Sequence, residues 1–529
     1  MWWRKAVLLF GVVSLFLFLS PWVLGGEIPY FPFSALRKGM KAVGKTVLYG
    51  TQVEEFSLEI IDVVRAKDIT DSYFVVLVTD EKIRSLGGIL AGMSGSPVYV
   101  RGRVAGALSH SFETQDHLVG VVTPIEAMLK MWEEEEILAP LEGKEKSVVF
   151  CFGFGRRAWE RLCQKFGKKY DLRRILSFPQ LFSGEGKEKG VSLEPGSAIG
   201  VQLVTGDAEV VSIGTLTLRE GDRFLALGHP FLHRGRAQYF LSSVYVNFSL
   251  KGNEFPFKVG TPLEIVGTVE EDRGVGIAGR FGVFPETTEV MVQVKEGVTK
   301  REFRFSVVRE EDILVDFLPE LVLDAIDRTI DRQSPGSVDV KFRLEGDGTL
   351  VEEEFFWVSE PDIATFTAGT LQKIFESLLK NPYRPLGVQR VEIGIEVFPE
   401  MQRGWIVSCE FPRIVRRGER VEGKVTIFLY RQGIRDVSLS FTLPPDFVPG
   451  EAEVTVRGKG GGGEETEGSS FAPSFEEYVE EKLDTFRSDG VNLEVGARSD
   501  FSQKNAYLKT HVFLPFVLEG SASTKVWVN

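Results

Sequence analysis

The chain is poor in the residues that would point to several common chemistries. It has three cysteines in 529 residues, Cys151, Cys163 and Cys409, with no CxxC pair. That excludes a disulfide framework and a structural zinc site, and leaves either one Cys151–Cys163 bridge or three buried thiols. Histidine is also sparse, at His110, His117, His229, His233 and His511. No HExxH or clustered His/Asp set is present, so a metal-dependent hydrolase fails on inventory and no metal or cofactor is expected. Basic residues are outnumbered, 62 Lys plus Arg against 75 Asp plus Glu, and the net charge of −13 argues against a nucleic-acid partner. After residue 24 no long apolar run recurs, which rules out a multi-span membrane protein.

What remains is long enough for three or four domains at about 150 residues each. Met1 to Lys5 carries Arg4 and Lys5, Ala6 to Leu24 is almost wholly apolar, and Gly25 and Gly26 follow. A basic start, an apolar stretch and a small-residue exit are the parts of a secretory signal, with a retained membrane anchor as the alternative. Either way the rest works outside the cytoplasm, in the periplasm, the cell envelope or the medium. A membrane contact is expected only through an uncleaved N-terminal segment.

Short alternating strands with Gly-rich turns fill residues 27–142 and, after a connector at 143–195, residues 196–310. Thr123, Pro124 and Glu126 suggest a capping box opening a helix, and a second helix is expected at Arg156 to Phe166. An α+β accessory region follows at 311–400, with apolar positions at helical spacing around Leu318 to Ile330 and Leu371 to Leu379. Residues 401–457 suggest a small β-sandwich, 458–473 a Gly/Glu/Ser linker, and 474–529 a helix and a few strands. The predicted class is mainly β with some helices: two β-barrel halves with C-terminal α+β and sandwich modules.

Two nucleotide motifs are declined. Gly39 to Thr46 fits GxxxxGK[ST], but strand-like TVLYG follows where a helix is required. Gly274, Gly276 and Gly279 form a GxGxxG with no helix after it, which reads as β-turns.

GGILAGMSGSPVYV, residues 87–100, places Ser94 between Gly92 and Gly95 with a strand on each side. An α/β-hydrolase elbow needs GxSxG ahead of a helix, and here Ser96 and a strand stand instead. Chymotrypsin-like barrels hold their nucleophile in this strand–loop–strand setting, where the Gly92 and Ser94 amides would form an oxyanion hole. Met93 stands where such enzymes generally carry Asp. The competing reading is a plain Gly/Ser turn. A serine nucleophile needs a base within hydrogen-bond reach. His229, between Gly228 and Pro230 at the end of an apolar strand, is the first choice and His110 the rival. His117, His233 and His511 look like loop or surface residues. The third group is either Asp80 or Asp222.

Taken together, LRKGMKAVGKTVLYGTQVEEFSLEII, TDEKIRSLGGILAGMSGSPVYVRGRVAGALSH, GVVTPIEAML and FLALGHPF resemble the SpoIVB peptidase family, sporulation-type serine peptidases with a chymotrypsin-like fold. The resemblance implies an endopeptidase with Ser94 as nucleophile, His229 as base and Asp80 as acid, making a limited cut in another exported protein of the envelope. It also explains the Gly39 to Thr46 segment as a turn and strand. Three features depart from the family. The serine block precedes the histidine block, which implies permuted barrel halves. There is no room for a PDZ module between the signal and the first matching block. The chain after Val283 has no counterpart. An alternative from a different class is a non-catalytic envelope scaffold that kept the barrel.

Overall fold

The computed structural model describes residues 30–111, 117–133, 148–167, 171–174, 191–252, 255–460, 474–498 and 505–529. The segment expected as a signal or anchor, part of the connector and most of the Gly-rich linker lie outside the described residues. Among the described residues, no helix is long and apolar enough to cross a membrane.

Six strands close the first barrel: β1 (Lys41–Val47), β2 (Val53–Val64), β3 (Tyr73–Val78), β4 (Pro97–Val100), β5 (Arg103–Ser111) and β6 (Val119–Pro124), in the order β1-β2-β3-β6-β5-β4. Period-two alternation sends Phe56, Leu58, Ile60, Phe74, Val76, Val98, Leu108 and Val122 inward. Gly44 lies in the middle of β1 against the Phe56 ring, so the apparent phosphate loop is a barrel strand. A short helix α1 (Glu81–Ser85) leads from β3 to the serine loop.

The second barrel comprises β7 (Ala198–Gly206), β8 (Glu209–Glu220), β9 (Arg223–Ala226), β10 (Gly235–Leu250), β11 (Phe257–Arg273) and β12 (Gly276–Phe281). They follow the order β7-β10-β11-β12-β9-β8, and pairing of β8 with β7 closes the ring. The fold is therefore a chymotrypsin-like double barrel, with the serine-bearing half first. The GxGxxG glycines fall on the β11–β12 turn and on β12, with no helix behind them. Strands β10 and β11 run 16 and 17 residues and bend through several register shifts, as bulged strands do. Their far ends reach the first barrel, where Gly50 and Val246 exchange two main-chain hydrogen bonds.

The second barrel does not end at its own rim. Thr299–Val308 pairs with β7, and Thr287–Glu296, Arg390–Phe398, Gly336–Gly346 and Thr349–Ser359 continue the same sheet outward. Helix α2 is Ile125–Leu129, and α3 (Arg156–Phe166) lies where the sequence predicts it. Helices α4 (Glu311–Ile330) and α5 (Ile363–Leu379) pack with α3 over this extension in one core. Within that core Glu320 and Asp324 are fully buried. Glu320 is paired with Arg161 and Lys165, and Asp324 accepts the Gly155 amide at 2.5 Å. The accessory region is thus continuous with the barrel sheet, and a deletion after Val283 would tear that sheet.

The C-terminal sandwich draws on both sides of the linker. Gly450–Gly458 pairs with Val491–Arg498 and Ser521–Val528, and Arg403–Glu410 pairs with Val517–Glu519. The segment expected as a separate tail supplies strands to the sheets expected from 401–457. All three cysteines are free, so no bridge joins Cys151 to Cys163.

Candidate active site

The serine loop, residues 87–96, lies between the barrels and is held by the second one. Ser94 carbonyl accepts the Thr215 amide at 2.7 Å, Gly92 carbonyl the Thr215 hydroxyl at 3.0 Å, and Gly95 carbonyl the Thr217 hydroxyl at 2.8 Å. Gly92 and Gly95 have φ of +96° and +92°, a region that only glycine occupies freely. A Cβ on Gly95 would sit 1.9 Å from the Thr215 carbonyl oxygen. Gly95 is therefore required by how closely β8 approaches.

This anchoring fixes two donors. A trans peptide points its N–H opposite to its C=O, so a bonded carbonyl sets the direction of the next residue's amide. The Ala91 carbonyl accepts from the Lys258 amide at 3.0 Å, and the Met93 carbonyl from the Ser96 amide at 2.9 Å. The amides set in this way are those of Gly92 and Ser94. Among the described residues neither amide donates to a protein acceptor, whereas Met93 N–H bonds Leu90 and Gly95 N–H bonds Leu108. Two fixed, unengaged amides flanking a serine are the donor set that an oxyanion needs.

The Ser94 hydroxyl is half-buried and donates to the Ser109 carbonyl on β5 at 3.3 Å. Gly228 packs on the same strand: a Cβ there would lie 3.3 Å from Ser109 Cβ and 3.0 Å from Ala107 Cβ. His110 follows Ser109, and its ring centroid is 5.0 Å from that of His229, with 36° between the planes. Ser94 thus bonds the strand residue next to His110, whose ring meets that of His229, and Gly228 before His229 packs on the same residue. Burial lowers the His110 pKa to about 4, so that ring is neutral at pH 7.

His229 leaves the end of β9 through a strained turn. Leu227 and Gly228 have φ of +68° and +72°, and the Gly228 amide closes back on the Ala226 carbonyl at 2.9 Å. A non-glycine residue held at positive φ marks strain that the surroundings must enforce. Thr123 supplies part of that enforcement, donating its hydroxyl to the Gly228 carbonyl at 2.6 Å. Its expected role as a helix cap is not seen: Pro124 occupies the cap of α2, and Glu126 accepts the Phe33 amide at 3.0 Å. Beyond the histidine, buried Asp272 on β11 accepts the Phe231 and Leu232 amides at 2.7 and 2.8 Å, and holds the loop down.

The His229 Nδ1 lies 2.8 Å from the Pro230 carbonyl oxygen. A carbonyl can only accept, so Nδ1 carries the hydrogen and Nε2 of the neutral ring carries the lone pair. The nitrogen that a triad aspartate would orient is therefore engaged by the main chain. Asp80 caps α1, its Oδ1 accepting from the Lys82 and Ile83 amides at 3.0 and 3.1 Å. Asp222 is exposed in the β8–β9 turn, at the opposite end of β9 from His229. Among the described residues, neither carboxylate bonds the histidine pair. His233 is exposed on the loop that Asp272 holds, His117 lies on the loop before β6, and His511 is in the sandwich beside Asp489 at 3.4 Å.

Residues 33–129 match the family described as SpoIVB peptidase S55. The matched segment covers the whole first barrel, with α1, α2 and Ser94, and it supports a serine peptidase. It stops short of His229, so the SpoIVB match does not reach the second barrel. No curated protein and no solved structure matches the chain.

Sequence reasoning missed Thr123, Thr215, Lys258, Asp272 and the Pro230 carbonyl. A lysine inside the apolar run PFKVG is a usable signal, since strand interiors rarely hold an unpaired ammonium. Asp272 ends an EED run that looks solvated.

Proposed function

We propose that the chain is an exported serine endopeptidase that makes limited cuts in another protein of the envelope. The observation that carries this reading is the bond of Ser94 to Ser109, against which Gly228, next to His229, packs, with two unengaged amides beside the serine. In the proposed reaction Ser94 Oγ attacks the scissile carbonyl carbon, and His229 Nε2 takes the hydroxyl proton. The Gly92 and Ser94 amides stabilise the oxyanion. The imidazolium returns its proton to the leaving amine, which departs and leaves an acyl-serine. Water then enters by the same route and releases the acid. The Pro230 carbonyl keeps Nδ1 protonated and stabilises the positive ring, the part usually taken by an aspartate. Asp80 contributes by fixing α1, which leads into the serine loop.

The apolar N-terminal segment supports the proposed compartment, and the family matched by the first barrel supports peptidase chemistry. The test is labelling of full-length protein with a fluorophosphonate probe. Wild type is expected to label, and Ser94→Ala to lose labelling by about 10⁴-fold or more while melting at the same temperature. Equal labelling of the two proteins, or none in either, overturns the reading.

A further inference from the structure

Lys258 is a fully buried lysine with no carboxylate partner. It lies near the start of β11, is 0% exposed, and among the described residues forms no ion pair. Its ammonium donates to the Thr46 hydroxyl at 2.6 Å and to the Gly92 carbonyl at 3.2 Å. Burial alone lowers its pKa to about 7. An unpaired buried cation is costly to a fold, and packing alone would be served better by an apolar side chain of the same length. The residue is therefore kept for what it touches.

What it touches is the main chain on both sides of Gly92. The Lys258 amide bonds the Ala91 carbonyl at 3.0 Å, and its ammonium bonds the Gly92 carbonyl. Its side chain also covers Gly92, where an added Cβ would meet Lys258 Cδ at 3.3 Å and Cβ at 3.4 Å. Gly92, at φ +96°, has no side chain to restrict it and would otherwise explore both hands of backbone space. Fixing the peptide before it aims the Gly92 amide. Fixing the peptide after it sets the start of the turn that carries the Ser94 amide.

We propose that Lys258 is a positioning residue for the oxyanion donors, its main-chain and side-chain hydrogen bonds together holding the two peptide units around Gly92 in the transition-state orientation. This rests on the peptidase reading above. It assigns to the second barrel, outside the SpoIVB-matched segment, a lysine that acts on the first barrel's loop without touching substrate. Thr215, the other donor to the Gly92 carbonyl, belongs to the same clamp.

The test uses full-length wild type, Lys258→Met and Lys258→Gln, with fluorophosphonate concentration varied so that the maximal labelling rate separates from the probe's apparent affinity. Lys258→Met is expected to melt at or above the wild-type temperature, because an unpaired buried charge is removed. Its maximal labelling rate is expected to fall about 100-fold with the affinity unchanged, the usual cost of one lost oxyanion donor. Lys258→Gln, which keeps an N–H donor, is expected to recover part of that rate. A purely structural lysine would instead lower the melting temperature and leave the labelling rate of the folded fraction intact. Wild-type rates in Lys258→Met overturn the proposal and leave the peptidase reading standing. If the Met variant fails to fold, Lys258→Leu, which also lacks a donor, takes its place: a wild-type rate in it overturns the proposal and a reduced rate in the folded variant supports it. Absence of labelling in wild type overturns both.

Discussion

The two barrels close in the same way from six strands each, yet they hold different kinds of interior. The first is filled with Phe, Leu, Ile and Val, and its strands carry few buried polar side chains, among them Thr46 and Ser109. The second buries Gln202, Ser212, Thr215, Thr217, Ser242, Ser243, Lys258, Thr268 and Asp272. Four of these reach the two candidate loops: Thr215, Thr217 and Lys258 hold carbonyls of the serine loop, and Asp272 holds the segment after His229. On the proposed reading, one barrel presents the nucleophile and its amides, while the other holds them in place and supplies the base. A buried polar group without a partner is destabilising, so such a cluster persists where its hydrogen bonds organise something. Here that is the space between the barrels.

The comparison can be broken at the histidines, where the largest effect is expected. If the second barrel supplies the base, His229→Ala should reduce fluorophosphonate labelling by about 10⁴-fold or more. His110→Phe, on the first barrel, should stay within about tenfold of wild type, because a neutral ring packed at a tilt supports its neighbour by packing. The reverse ranking would move the base to the first barrel.

A smaller effect concerns pH. The folded His110 pKa lies near 4, below the usual value for histidine of about 6.5. Between those values the unfolded chain binds the proton that the folded protein refuses, so the contribution is intact above pH 6.5 and is lost as the pH falls toward 4. The loss should reach at most about 3 kcal/mol, and His110→Phe should remove it. Urea titrations at pH 7 and pH 4.5 check this: an equal pH dependence in both proteins would contradict it.

The smallest effect sharpens the part assigned to Asp80. As a helix cap, its replacement by alanine should cost about 1 kcal/mol of stability, with labelling within about threefold of wild type. A fall of about 10³-fold or more with stability unchanged would make Asp80 an orienting acid.

These contrasts also explain what was legible in the sequence. Ser94 stood out because β8 leaves no room for a side chain at Gly95, and the Ser-Gly pair of GMSGSP is the trace of that crowding. His229 stood out because five histidines leave few choices and Gly-His-Pro marks a tight turn. The first barrel was readable from alternation alone, and the extended class of mainly β with helices followed from the same periodicity. Local pattern could not assign Asp80, since an aspartate two and three residues before bonded amides is a cap only once the helix is known to form. Thr123 misled for the opposite reason: its sequence fits a capping box, while its hydroxyl is drawn to a carbonyl 105 positions along the chain. The sandwich divided by the linker and the Lys258 clamp rest on equally distant pairings, which periodicity does not record.

The most direct test of the central claim is a crystal structure of the phosphonylated protein. Phosphorus is expected on Ser94 Oγ, with one phosphonyl oxygen 2.7–3.1 Å from both the Gly92 and Ser94 nitrogens, roughly the range for oxyanion donors, and His229 Nε2 within hydrogen-bond reach of Oγ. Phosphorus on another residue, or its oxygen turned away from both amides with His229 out of reach, would contradict the account.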